Sequence, residues 1–382
     1  MEISTPSSYT LVSFEEIVPE DFAKAGETVR KIISSVREGT FDYAARPEEK
    51  RDWGAYDEAQ IHELVDLLEF IRTLVDMAEG RVRERQGRKR RGRGRPPTPA
   101  ADVTKVLLLQ TYLGVPNRVA QGLLLLFRPQ LGISREFSYK VIERGYDRKS
   151  VNELLDEVVA LTNEPVRGLE KVFGPDGTGH PGTVRGNYAA VRARQDGGSR
   201  EAGGWPSEGR DGGGVFGAGV VGARFKLFTG WQGSANVHVG ELSHFPALMA
   251  RTKELHPEME MVVGDGLYAG RWMCGLVASL GAVPRFLPRR NVTMKREGVK
   301  AWMDMLLALS KGPQGWMRDY HLRSSQETAN FMMKNRKGKL RKRLAPRKET
   351  EAYLRVVQHN VRWLAALRYW TELRAAWIPW GS

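Results

Sequence analysis

At 382 residues the chain exceeds the length that one hydrophobic core usually serves, so two or three domains are expected. A single cysteine, Cys274, excludes an intramolecular disulfide and any cysteine-cluster zinc site. The opening MEISTPSSYTLVSFEEIVPE has neither the basic start nor the apolar run of a signal peptide, and no stretch reaches the roughly 18 apolar residues of a membrane span, so a cytoplasmic protein with no membrane partner is expected. The net charge of +14 is concentrated: residues 81–95 carry +8 and residues 311–348 carry +10, which leaves −4 for the rest of the chain. Charge gathered into two foci suits a polyanion such as nucleic acid.

Residues 1–83 read as an N-terminal helical region. Pro19–Val36 forms a helix with Pro19 tolerated in its first turn and with Phe22, Val29, Ile32 and Ile33 as apolar positions. Tyr56–Ala78 reads as a longer amphipathic helix, because Ile61, Leu64, Val65, Leu68, Ile71 and Val75 recur three and four apart. Its a/d spacing is not sustained for enough heptads to favour pairing with a second copy over packing within the domain. Residues 84–99, ERQGRKRRGRGRPPTP, form a basic linker in which Gly and Pro prevent regular structure. Within it, Arg93-Gly94-Arg95-Pro96 resembles the core of an AT-hook, which lays arginines in a narrow A·T minor groove. A nonspecific phosphate tether is the alternative, and both imply DNA contact through Arg93 and Arg95.

Residues 100–165 read as four short helices: Asp102–Leu113, Arg118–Phe127 capped by Asn117, Arg135–Arg144 capped by Ser134, and Asp147–Thr162. The third turns Phe137, Val141 and Ile142 inward and Arg135, Lys140 and Arg144 outward. Short helices with a basic outer face suit a helix-turn-helix-like DNA-binding module, with a plain helical bundle as the alternative. From residue 166 the texture changes. Gly168–Thr178, Val215–Trp231, Ala235–Glu241, Met259–Gly264 and Val283–Leu287 are strand-like runs. The glycine-rich stretch 195–214 is a flexible insertion. Helices are expected at Phe245–Leu255, Ala269–Leu280, 300–310, 320–335 and 350–376. Strands first, then strands alternating with helices, give an α/β fold with a mixed sheet over 166–382, preceded by an all-α region.

Tyr320–Lys334 contains no Pro or Gly and reads as one helix. At about 100° per residue, Tyr320, Arg323, Glu327 and Lys334 fall at roughly 0°, −60°, −20° and −40°, on one narrow face. Two cations and a phenol around one carboxylate suit phosphate. The spacing Tyr-(2)-Arg-(3)-Glu-(6)-Lys resembles the signature around the third catalytic acid of bacterial and archaeal insertion-sequence transposases of the DDE type. Two further segments carry the resemblance. Asp265, in MVVGDGLYAGRW, follows an apolar strand and is followed by Gly and Tyr, like the second acid of that family. Asp176, in LEKVFGPDGTGH, is followed by a small residue and Thr178, like the first acid, although Pro175 departs from the commonest form. Asp196 and Asp211 lie in glycine-rich sequence that cannot hold an acid rigidly. The stretch GRPPTPAADVTKVLLLQTYLGVPNR also resembles the segment that precedes the catalytic core in many such enzymes. The likeness covers residues 91–370 loosely and three short segments closely.

The resemblance implies an RNase H-like catalytic core and a nucleoid-associated transposase that cuts the ends of a mobile element and joins them to target DNA. It implies double-stranded DNA as partner, in terminal inverted repeats and target, and a homodimer on that DNA. Asp176, Asp265 and Glu327 would be the catalytic acids and metal ligands, with Tyr320, Arg323 and Lys334 on DNA phosphates. Three converging carboxylates repel one another, which calls for a divalent cation, and hard oxygen ligands select Mg²⁺ or Mn²⁺. Two ions about 4 Å apart would serve an in-line displacement. A nuclease or domesticated relative without strand transfer, and a noncatalytic DNA-binding protein, are the alternatives. No HExxH, GxSxG or Walker motif offers another chemistry. Trp363, Trp370 and Trp377 recur every seven residues and are expected to pack the last helix; Trp272 is expected in the core rather than on an unpaired base.

Overall fold

Apolar residues three and four apart commit most of the first 165 residues to helices. The computed structural model describes residues 19–44, 52–87, 96–182, 213–236, 239–294, 298–335 and 337–370. Helices α1 (Pro19–Glu38), α2 (Trp53–Ile61), α3 (Glu63–Gln86), α4 (Ala100–Leu113), α5 (Asn117–Phe127), α6 (Tyr139–Gly145) and α7 (Lys149–Asn163) follow in order. The single helix expected over Tyr56–Ala78 is divided at His62, whose φ of −93° and ψ of 0° end α2. The break resets the helical phase. Leu67, Leu68, Phe70, Ile71, Leu74, Val75 and Ala78 are buried, whereas Ile61, Leu64 and Val65 are exposed. Neither expected cap forms. Asn117 is already helical, and its side-chain oxygen accepts from Gln110 and Lys342 instead. The chain stays irregular past Ser134 because Phe137 is turned into the core from a non-helical segment, and α6 begins only at Tyr139. Arg135 is thus in a loop; it is exposed, as are Lys140 and Arg144. Arg93 and Arg95 lie outside the described residues, as does most of the 195–214 stretch.

Five strands form one mixed sheet: β1 (Val172–His180), β2 (Val215–Gly222), β3 (Phe228–Ser234), β4 (Met261–Gly264) and β5 (Val283–Phe286), in the order β3-β2-β1-β4-β5. β1, β2 and β3 are antiparallel, and β4 and β5 run parallel to β1. The apolar run over Val215–Trp231 is therefore a hairpin, not one strand. It turns at Lys226, in the left-handed region at φ 57°, while the buried Glu170 carboxylate accepts from the Arg224 and Phe225 N–H groups at 2.9 and 2.8 Å. The expected strand Ala235–Glu241 does not form in its described part: Glu241–Ser243 is a short 3-10 turn leading into α8 (Phe245–Leu255). Then come α9 (Arg271–Ser279), α10 (Lys300–Lys311), α11 (Pro313–Tyr320), α12 (Ser324–Lys334) and α13 (Ala345–Leu367).

Alternation along β1 sends Phe173 to one face of the sheet and Gly174, Asp176, Thr178 and His180 to the other. The first face carries a core of Phe173, Val220 and Val262 with α8, α9, α10 and α11, and α1 adds Val29, Ile32 and Ile33. The second face is covered by α12 and α13 through Val221, Trp231, Ala329, Met333, Ala352 and Val356. A third, all-helical core joins α3, α4 and α7 to α13 and to Phe225 and Leu227 of the β2–β3 turn. Residues 19–86 thus serve two cores, and α13 ties the helical core to the sheet. Trp363 donates to the Phe225 carbonyl at 2.6 Å and meets Trp370 edge-on at 5.8 Å, while Trp377 lies outside the described residues. Among the described residues no helix is long and apolar enough to cross a membrane.

Candidate active site

The sheet brings two distant acids into one neighbourhood. β1 and β4 pair in parallel at Val172↔Met261 and Phe173↔Val262. Asp176 and Asp265 each lie three residues beyond the second of these pairs, close enough that Asp265 adds to the rise of the Asp176 carboxyl. Asp176 lies in mid-strand; Asp265 follows the last residue of β4, at the carboxyl end where open α/β sheets build sites. The Asp265 carboxylate accepts from the Leu267 N–H at 2.8 Å, which fixes the turn.

The third acid is carried by α12. The helix expected over Tyr320–Lys334 is not continuous: Tyr320 ends α11, His321–Arg323 is a 3-10 turn, and only Ser324–Lys334 is α-helical. A 3-10 turn repeats every three residues, so the change of phase is invisible in the sequence spacing. α12 is nevertheless held closely over the two strands. Gln326 donates to the Val263 carbonyl of β4 at 2.9 Å, and a Cβ on Gly174 of β1 would overlap the same side chain and force it to move. One turn on, Asn330 donates to Asp176 at 2.7 Å. Glu327 itself is exposed and ion-paired with Arg323 at 2.7 Å. Tyr320 and Lys334 are half-buried, Tyr320 stacked on Trp316 with ring centroids 5.5 Å apart.

Charges at this end of the sheet act on one another. Burial raises the Asp176 carboxyl above the usual range; Asn330 and Arg323 oppose the rise, and Asp265 and Glu327 add to it. A fourth acid, Glu241, lies against β1 where a Cβ on Gly177 would stand. Burial, then Asp265 and Asp176, push it up to about 7. Tyr268 is 1% exposed, its hydroxyl has no hydrogen-bond partner among the described residues, and burial, then Glu241, Asp176 and Asp265, hold its proton on. Lys334 is lowered by burial but drawn back by Asp176. Beside Asp265, Arg37, Arg289 and Arg290 line a cavity with Gly266 and Leu267. Glu241 and Arg37 were missed in the sequence. The only signal for Glu241 was a Gly-Glu pair just before a helix, within a run that otherwise looked like strand. Trp272 is partly buried against the sheet core, and Cys274 is buried and donates to the Met305 sulfur at 3.9 Å.

Among the described residues, no three His, Cys, Asp or Glu side chains close around one point at metal-ligating distance. Glu327 is drawn aside by Arg323, and Asp176 and Asp265 are occupied by Asn330 and the Leu267 N–H. The donor chemistry still suits a hard divalent cation: carboxylate oxygens, with Asp176 pushed up by burial and then by its acidic neighbours Asp265 and Glu327. No family model matches the chain, and comparison with curated proteins and with solved structures gives no match.

Proposed function

We propose that the protein is a DDE-type DNA transposase with an RNase H-like core. The observation that supports the reading is that Asp176 and Asp265, 89 positions apart in sequence, follow paired segments of the parallel strands β1 and β4 and act on one another electrostatically, with Asn330 of the helix that bears Glu327 bonded to Asp176. The strand order β3-β2-β1-β4-β5, antiparallel and then parallel, supports the RNase H-like assignment.

In this reading Asp176 and Asp265 would hold Mg²⁺ or Mn²⁺, with Glu327 joining them as Arg323 turns to a DNA phosphate. The bound cation would supply Lewis acidity at the scissile phosphate and a more acidic water or 3′-hydroxyl. Asn330 fixes the orientation of the Asp176 carboxylate, the role that outer partners play around metal ligands. Arg323 offers a bidentate fork and Lys334 a point charge to the strand being cut. Tyr320 adds a donor. Arg37, Arg289 and Arg290 would take the neighbouring backbone. The expected partners are the element's terminal inverted repeats and target DNA, engaged by a homodimer.

The test is a donor plasmid carrying the sequences that bracket the reading frame. Asp265→Asn and Glu327→Gln should lose Mg²⁺-dependent end cleavage while duplex binding persists; full cleavage by either removes the proposal. Insertions flanked by short target-site duplications separate a transposase from a nuclease.

A further inference from the structure

A second charged site lies away from the acids. The turn between α4 and α5 faces the segment that joins α12 to α13, and between them is a cavity of about 330 Å³. Lys337, Lys339, Arg341, Lys342 and Arg355 line it, with Glu351 as its one carboxylate. Glu351 is already engaged, accepting from the Arg341 N–H at 3.0 and 2.9 Å and from the Lys342 N–H at 2.8 Å, and it stands 3.9 Å from Arg355. Among the described residues, Lys337, Lys339, Arg341 and Lys342 have no carboxylate at ion-pair distance.

These cations are held in place by neutral groups. Lys337 donates to the Thr111 and Tyr112 carbonyls at the end of α4, at 2.6 and 3.0 Å. Lys342 donates to Asn117 at 2.8 Å and lies 3.9 Å above the Tyr146 ring. Arg355, 6% exposed, donates to the Gly338 carbonyl at 2.8 Å. Arg355 is buried, Lys337, Lys339 and Lys342 are half-buried and Arg341 is exposed; gathering them around one committed acid costs free energy that an anion would return. Burial lowers Lys337 to about 7 and Lys342 to about 8, as expected where a counter-charge is missing. Asn117, the first residue of α5, borders the same space. Pockets for small organic molecules occupy roughly 300–1,000 Å³ and are mainly apolar, so this small, cationic one fits an oxyanion better.

The occupant is identified by what lies next to the cavity. Lys334, at the end of α12, feels both Asp176 of the acidic site and Arg355 of the cavity wall. It stands three positions before Lys337. Cations thus run from the acidic site into the cavity along one stretch of chain. We infer that this cavity is a second phosphate site, which grips the backbone of the same DNA whose scissile bond lies at Asp176 and Asp265. The inference rests on the transposase reading for the identity of the polyanion.

The variant Lys339→Gln/Arg341→Gln alters lining cations that make no side-chain hydrogen bond among the described residues, and its folding is checked by circular dichroism and melting. With the full chain, a labelled nonspecific duplex and EDTA, binding is followed by anisotropy against NaCl. Loss of one phosphate contact lowers the slope of log K against log[salt] by about 0.9, with an affinity loss of about tenfold at low salt. Wild-type slope and affinity in the folded variant overturn the inference. Inorganic phosphate is titrated in parallel. If it protects the wild type but not the variant from thermal unfolding while duplex binding is the same for both, the cavity serves a free anion and the DNA assignment falls. If the variant loses the slope but the wild type never cleaves DNA, the transposase reading fails and the phosphate site stands.

Discussion

The acidic end of the sheet and the cationic cavity are built on one plan with opposite sign. In each, like charges are gathered, partly withdrawn from water, and steadied by neutral donors or acceptors. Desolvation then pushes one member of each toward losing its charge: Glu241 rises to about 7, and Lys337 falls to about 7. Fully paired sites look different. Arg81 is bound by both oxygens of Glu164, at 2.5 and 3.0 Å, and its guanidinium is raised rather than lowered. The contrast teaches that unbalanced burial of charge, rather than charge itself, marks where this molecule expects a ligand. On the proposed reading a dication would answer one set and a phosphodiester the other.

The largest effect should come from breaking the acidic member. Asp265→Asn removes a carboxylate that acts on Asp176; on the proposed reading a loss of several kcal/mol of metal-assisted stabilisation corresponds to a fall in cleavage on the order of 10³-fold or more. Gel assays of end cleavage with Mg²⁺ measure it, and unchanged duplex binding shows that the cationic member is intact. Next is Asn330→Ala, which frees Asp176 from its 2.7 Å donor. A loss of about 10- to 100-fold in activity is expected, as for other partners of metal ligands, and titration calorimetry with Mn²⁺ should show weaker binding. Wild-type Mn²⁺ affinity would make Asn330 a packing residue only.

Gln326 tests whether fold and site can be separated. Its carboxamide bridges the place of a Gly174 side chain and the Val263 carbonyl. Gln326→Ala leaves that buried carbonyl unpaired and should cost about 1–3 kcal/mol, read as a lower urea midpoint with unchanged slope. Because α12 also carries Asn330 and Glu327, cleavage should fall with it, while the salt dependence of duplex binding stays as in wild type.

Some of this was legible in the sequence because its cause is local. MVVGD reads as a strand delivering an acid because an apolar run ends at Asp265, and β4 stops at Gly264. Phe245–Leu255 is a helix with the bounds its periodicity gives. The 3-10 break at His321–Arg323 was hidden because a spacing of three fits both kinds of turn. Glu241 was hidden because its importance comes from Gly177, more than sixty residues earlier, whose missing side chain makes room for it. The cationic cavity was hidden most deeply: residues 110–117 and 337–355 meet only after α13 has packed into the helical core. The basic run 311–348 was visible, but nothing local distinguishes its buried cations from its solvated ones.

The smallest effect expected is in the pH dependence, where the two members should part. Lys337 faces Arg355, Arg362 and Glu63, with the Tyr112 ring 5.7 Å away; Lys342 faces Glu351, Glu143, Arg347 and Arg341. Their folded-state values, about 7 and about 8, lie below the ordinary 10.5 of an unfolded chain. Between these limits the unfolded chain binds more protons, so these two groups make stability rise with pH from about 7 to 10.5 and withdraw it as pH falls through 8 and 7. Phosphate affinity should run the other way and decline over the same interval, as the ammonium groups lose the protons that attract the anion. Denaturation midpoints and phosphate titrations at pH 6.5, 8 and 9.5 would show the two trends crossing, and Lys337→Met should flatten both. If stability and phosphate affinity instead fell together as pH rises, the lysines would be conventionally paired and the symmetry between the two sites would be lost.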